Sequence, residues 1–332
     1  SGKFDQFQRN IPYYAFSRAF SQFCHHLLTE SAERVSAWQT QILHAVGDNG
    51  QILIDIIPGL DQVIGPQPSA AEVGPQEAEH RLNFTFARFI RVLSGPEQPL
   101  IVFIDDLQWA DAASLKLLKL LLTDAQMQHL LVIGAYRDDE VAAGHPLALT
   151  LDDIEQAGAP MSHIPVLNLS ADDVAALTAD SLDSDVADSR ALSQLVYDKT
   201  AGNAFFVNQF LQTLVDEGLL TFSPASPGVP DQSGWRWNID QIRAKDVTDN
   251  VVTLMAGKIS KLAPNTQHVL KLAACAGNTV DLKTLAIINE RPVSETLVYV
   301  LDGVAEGLLL PLDDHYKLAA LAPDSPPAAG EA

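Results

Sequence analysis

The sequence predicts an α/β fold built on a parallel sheet, followed by an all-α region and a winged-helix-like domain. Three observations carry this. Leu100 to Ile104 is a five-residue apolar run of β-branched and aromatic residues, which reads as a central strand covered on both faces. Leu130 to Tyr136 repeats that pattern after a helical crossover of roughly twenty residues, giving a βαβ unit whose strand ends lie on one side. From Ser170 onward the apolar spacing is helical, interrupted by one hairpin pattern.

Taken in order, Phe16, Ala19, Phe20, Phe23 and Leu27 recur at spacings of three and four, one apolar face of a helix that residues 31–46 continue. Ile52 to Ile57 is a short apolar stretch ending at Pro58-Gly59, and residues 65–76, with three prolines, form a loop. Glu77 to Leu93 is amphipathic and stops at Gly95-Pro96. Asp111 is suited to cap the helix carrying Leu115, Leu118, Leu121 and Leu122. A helix runs from Pro146 to near Gly158, and Ile164 to Leu169 reads as a last short strand. Ser170 and Asp173 open a helix over 171–182, followed by helices over 188–199 and 204–217 with a turn at Thr200 to Asn203. Gly218 to Phe222 and Trp235 to Trp237 form a hairpin with a long loop. Short helices over 248–309 break near Pro264, Gly277 and Pro292, and Leu308 to Leu312 reads as a strand.

Composition narrows the function. Forty-two acids against 21 bases give a formal charge of −21, which disfavours a general nucleic-acid or anionic-membrane surface. It does not exclude ATP, because phosphate sites are built locally from backbone N–H groups and a few cations. Cys24 and Cys275 are far apart without a Cys-x-x-Cys pair, so neither a disulfide framework nor a zinc site is suggested, and a reducing cytoplasm fits. No apolar run approaches the ~18 residues that span a bilayer.

The chemistry concentrates at the end of the first buried strand. Asp105 and Asp106 sit where α/β proteins hold ligands, and two acids in succession can divide the work. Asp105 would hold Mg²⁺, directly or through water, and Asp106 would orient or deprotonate a water attacking a γ-phosphate. This is the Walker B pattern of P-loop NTPases; the plainer alternative is that the acids only cap the next helix. Arg137, after the second strand, lands on the same side, where it could sense the γ-phosphate or simply pair with Asp138, Asp139 or the two acids.

Pro99 to Asp111, Gly134 to Asp138, Gly144 to Leu147, Thr200 to Phe206, Trp235 to Trp237 and Val247 to Val252 together resemble the AAA-type, STAND-like ATPase module of large bacterial signalling proteins. In that family the module lies between a serine/threonine kinase-like domain and C-terminal GAF and histidine kinase domains. The likeness runs from residue 1 to about 317. It implies a nucleotide-binding α/β domain over 1–169, a helical lid over 170–217 and a winged helix over 218–317, acting as an ATP-dependent switch of a two-component pathway. It also implies Asp105 as the magnesium acid, Asp106 as the catalytic acid and Arg137 as the sensor. The lid's Gly-Asn-Pro, which approaches adenine, is here Gly202-Asn203-Ala204.

Gly-x-x-x-x-Gly-Lys-Ser/Thr is absent: Gly2-Lys3 is followed by Phe4 and Gly257-Lys258 by Ile259. In the family this loop lies shortly before the point where this chain begins, so the P-loop strand is expected to be missing by truncation and ATP binding by this polypeptide to be weak. Residues 318–332 form an Ala/Pro tail expected to be disordered. The expected partners are ATP or ADP in the intact parent and its other domains, with a homo-oligomer left open and neither direct nucleic acid nor membrane insertion. Two other classes remain: a non-hydrolysing interaction scaffold, and the ATPase part of an ATP-dependent transcription regulator.

Overall fold

The computed structural model describes residues 1–6, 11–224, 234–244, 251–277, 279–312 and 316, with the side chains of 251–255 left aside. The chain divides into two compact units, Ser1–Ser162 and His163–Ala332. Residues 247–250 of the Val247 to Val252 motif, Lys317 and the tail at 318–332 lie outside the described residues.

The first unit runs β1 (Gly2–Lys3), α1 (Tyr14–Leu27), α2 (Ala32–Val46), α3 (Gly50–Ile54), α4 (Leu60–Ile64), α5 (Pro75–Leu93), β2 (Leu100–Asp105), α6 (Ala112–Thr123), β3 (Leu130–Gly134) and α7 (Pro146–Gln156). Its sheet has the order β1-β2-β3 and is parallel throughout, with Lys3 opposite Asp105 and Ile104 opposite Gly134. A Cβ added at Gly2 would run into the Ala15 carbonyl, so α1 lies directly on the first strand. The heart of the core is a set of edge-to-face phenylalanines from α1 and α5. Phe86 meets Phe16, Phe20 and Phe89 with centroids 6.1, 5.4 and 6.2 Å away. Asp111 caps α6, accepting from the Ser114 N–H at 2.9 Å.

The sheet is covered on one face only. Val102 and Ile104 are buried against the helices, whereas Ile101 is 62% exposed, Phe103 40%, Leu131 53% and Ile133 44%. The register pairs Ile101 with Leu131 and Phe103 with Ile133, so the four make one open apolar face, and β3 is an open edge of this sheet. This corrects the expectation of a strand covered on both faces: on that side the four side chains keep 40–62% of their surface exposed.

The second unit holds α8 (Ala171–Ser181), α9 (Val186–Thr200), α10 (Ala204–Asp216), β4 (Leu220–Ser223), β5 (Gly234–Trp237), α11 (Ile239–Ala244), α12 (Val251–Lys261), α13 (Pro264–Ala276), α14 (Leu282–Ile288) and α15 (Val293–Ala305). The antiparallel β4–β5 hairpin pairs Leu220 with Trp237. Val174, Leu192, Val196, Val207, Phe210 and Leu214 form one core, which also buries Leu220 of β4 and Ile242 of α11. Val269, Ala273 and Leu285 form a smaller second core.

Two predicted strands are not strands. Residues 164–169 are irregular, with Ile164, Val166 and Leu167 more than four-fifths exposed, because the segment has no ladder partner among the described residues. Leu308 to Leu312 follows α15 as a turn: the N–H groups of Leu308 and Leu309 both donate to the Gly303 carbonyl, so they close the helix instead of a ladder.

α8 begins with a reciprocal capping box, in which Asp173 accepts from the Ser170 hydroxyl at 2.6 Å and its N–H at 2.9 Å. These bonds, hydroxyl first, hold the Asp173 carboxyl below its ordinary 3.8. A carboxyl depressed by folding contributes stability above its unfolded pKa and loses it as pH falls through its folded value. Asp173→Asn is therefore expected to lower the melting temperature at neutral pH and to converge on the parent chain as the pH falls through the lowered folded-state value of the carboxyl, where both side chains become uncharged. A constant offset between the two acid titrations would show that the carboxylate has no part in the cap's strength.

Candidate functional site

Asp105 ends β2 and Asp106 leaves it in a left-handed turn with φ 53° and ψ 44°. Aspartate is among the few residues that visit this conformation, and Asp105 Oδ1 accepts the Asp106 N–H at 3.0 Å, fastening the turn. The turn aims both carboxylates at the same place. Lys3 Nζ lies 2.8 Å from Asp105 Oδ2 and 2.8 Å from Asp106 Oδ2. Partial burial works against the Lys3 ammonium, but hydrogen bonds and charge from the two aspartates outweigh it and hold its pKa above the usual 10.5.

The other oxygen of Asp106 is held as firmly. Gln108, only 3% exposed, donates from Nε2 to Asp106 Oδ1 at 3.0 Å. Its Oε1 accepts the backbone N–H of Arg137 at 3.3 Å, tying the end of β2 to the chain leaving β3. The Arg137 guanidinium turns outward to Glu140 Oε1 at 3.3 Å, and Glu140 Oε2 accepts from Trp109 Nε1 at 3.1 Å. Sequence spacing offered Arg137 a pairing with Asp138, Asp139 or the two acids; the structure gives it Glu140 instead.

The residues present fit a magnesium ion. Mg²⁺ is usually bound by one or two carboxylates, with water and substrate phosphate completing its shell, and the Lys3 ammonium already marks a cation position between two carboxylate oxygens. Among the described residues no cluster of three or more His, Cys, Asp or Glu side chains could hold a metal unaided. Asp105 would hold the ion, which when bound supplies charge neutralisation to phosphate oxygens.

Gly202 and Asn203 belong to the second unit and have local roles there. Gly202 sits at φ +72°, where an added Cβ would meet the Leu169 carbonyl, and its own carbonyl accepts the Leu169 N–H at 2.8 Å. Asn203 caps α10, accepting from the Phe206 N–H at 3.2 Å. Sequence reasoning missed Lys3, Gln108 and Glu140. Lys3 fits no phosphate-loop pattern, and a two-residue strand carries no periodicity. Gln108 lay within the quoted motif and could have been found by asking what orients Asp106.

Cys24 is buried in α1, and desolvation, with the Asp61 charge, pushes its thiol up to about 12, so it is unsuited to nucleophilic or redox chemistry. No helix among the described residues is long and apolar enough to cross a membrane.

A parallel sheet with consecutive carboxylates at its ligand edge fits the α/β P-loop NTPase-like class. In agreement, the family model described as "AAA ATPase domain" matches residues 1–133. The chain is 28% identical to the "Hybrid signal transduction histidine kinase G" of Dictyostelium discoideum, over 93% of this chain and 10% of that protein. It thus spans about a tenth of that relative's length. No solved structure matches significantly.

Proposed function

We propose that this chain is the nucleotide-switch part of a signal-transduction histidine kinase, in which ATP binding and hydrolysis regulate the output of other domains. The observation that carries the reading is the pair of carboxylates at the end of β2, with Asp106 oriented by Gln108 and the Arg137 backbone tied to the same glutamine. In this reading Asp105 holds Mg²⁺, Asp106 polarises the attacking water, and Arg137 swings from Glu140 to the γ-phosphate. In the same reading residues 170–217 are the lid segment and 218–317 the winged helix. The parent is a multidomain STAND-type protein of the cytoplasm, with a serine/threonine kinase-like domain before this module and GAF and histidine kinase domains after it.

The open apolar face of Ile101, Phe103, Leu131 and Ile133, with the open edge of β3, is where a strand and helix carrying a phosphate loop would dock. The test is equilibrium binding of fluorescent ATP with Mg²⁺ to this chain and to a form extended upstream in the parent gene. The extended form is expected to bind in the micromolar range and this chain far more weakly. An extended form that carries Gly-x-x-x-x-Gly-Lys-Ser/Thr and still does not bind would sink the reading.

One observation favours a second reading, a scaffold that kept the fold without hydrolysis: Lys3 occupies both acids a catalyst would use and cancels half their charge. Unchanged binding of a partner protein with and without nucleotide would support it.

A further inference from the structure

Lys3 reaches the acids from a different strand. The parallel register puts it opposite Asp105, and the Phe4 N–H continues the pairing to the Asp105 carbonyl at 3.1 Å, so the backbone of Lys3 is fixed on both sides. Its Nζ takes one oxygen from each carboxylate, at 2.8 Å in both cases. The remaining oxygens are spent inside the turn, Asp105 Oδ1 on the Asp106 N–H and Asp106 Oδ1 on Gln108. The two oxygens turned to one common cation position, and engaged by no group of the turn, are the two that Lys3 holds.

An ion pair of this kind is a weak device for stability. The Lys3 side chain is half exposed, and such pairs contribute little because water screens them and ordering the chain costs entropy. Its effect on a second cation is larger. A divalent ion approaching the same two oxygens meets a pair already neutralised to one net negative charge and a fixed ammonium a few ångströms away.

We propose that Lys3 is a tethered cation that competes with a divalent metal for Asp105 and Asp106 and so sets the metal affinity of the site. Metal entry has to displace the ammonium, which remains at the ligand edge, placed to face an anionic ligand brought with the metal. The proposal rests on the reading of Asp105 as the metal acid and adds Asp106 Oδ2, which shares the same ammonium, as a neighbouring oxygen the ion would meet. It does not depend on nucleotide binding or hydrolysis.

The test is Mn²⁺ binding to the nucleotide-free chain, followed by loss of the free-ion electron paramagnetic resonance signal, in the parent chain, Lys3→Met, Lys3→Arg and Lys3→Met/Asp105→Asn/Asp106→Asn. The parent is expected to bind Mn²⁺ weakly and Lys3→Met at least about tenfold more tightly, because the competing charge is gone. Lys3→Arg, which keeps the charge, is expected to stay close to the parent, and the triple variant to lose the gain. An affinity of Lys3→Met within twofold of the parent would overturn the proposal, as would a gain that survives in the triple variant. Should Lys3→Met be unfolded without metal, recovery of its far-ultraviolet circular dichroism with millimolar Mn²⁺ supports the proposal, and no recovery overturns it. No arm contains nucleotide, so a failure of the ATPase reading would leave these results standing.

Discussion

In a form extended to include a phosphate-binding loop, Asp106→Asn is expected to leave Mg-ATP binding within a few-fold of the parent and to slow hydrolysis by roughly 10²- to 10⁴-fold. The asparagine has nearly the same shape, so it can keep the bond from Gln108 that orients this side chain. It cannot accept a proton from the attacking water at neutral pH. Single-turnover phosphate release under saturating ATP isolates the chemical step, and nucleotide binding measured separately shows whether the site is intact. Equal turnover in the two proteins would remove Asp106 from the reaction. Asp105→Asn is expected to act differently, raising the Mg²⁺ concentration needed for half-maximal rate, because Asp105 carries the metal in this reading. Were both variants to shift only the Mg²⁺ requirement, the two acids would share the ion and the water would need another base.

The site was legible in the sequence where its signal was local. Two acids closing a five-residue apolar run survive any reading of the chain, because strand, turn and carboxylates lie within one short stretch. Their partners were not legible. Lys3 lies 102 positions from Asp105 and comes from a strand of two residues, too short to show alternation. The grip of Glu140 on both Arg137 and Trp109 spans 31 positions on the tryptophan side and depends on where two loops meet.

The fold divides in the same way. Helices with a sustained apolar face, such as Tyr14–Leu27 and Pro75–Leu93, were readable because their spacing alone dictates which side is buried. The segments at 164–169 and 308–312 were misread because an apolar run specifies that a segment should be covered without naming the partner that covers it. A strand needs a neighbouring edge, and neither segment has one among the described residues. Exposure of Ile101, Phe103, Leu131 and Ile133 has the same origin: the sequence of β2 and β3 is written for burial on both faces, and the described chain supplies cover for one.

That asymmetry gives the largest expected effect on stability. Phe86→Ala is expected to destabilise the first unit by about 3–5 kcal/mol, since it empties the centre of a closed aromatic cluster whose neighbours cannot collapse together. Phe103→Ala, on the open face, is expected to cost less than about 1 kcal/mol in the same chain. The pair can be compared by urea unfolding followed through Trp38 and Trp109, with Trp235 and Trp237 of the second unit replaced by phenylalanine. In the extended form the two costs should draw together, because a docked strand and helix would bury Phe103 while leaving the environment of Phe86 unchanged. A Phe103→Ala penalty as large as that of Phe86→Ala in this chain would mean that the face is already covered. The docking place for the phosphate-loop segment would then have to be sought elsewhere on the sheet.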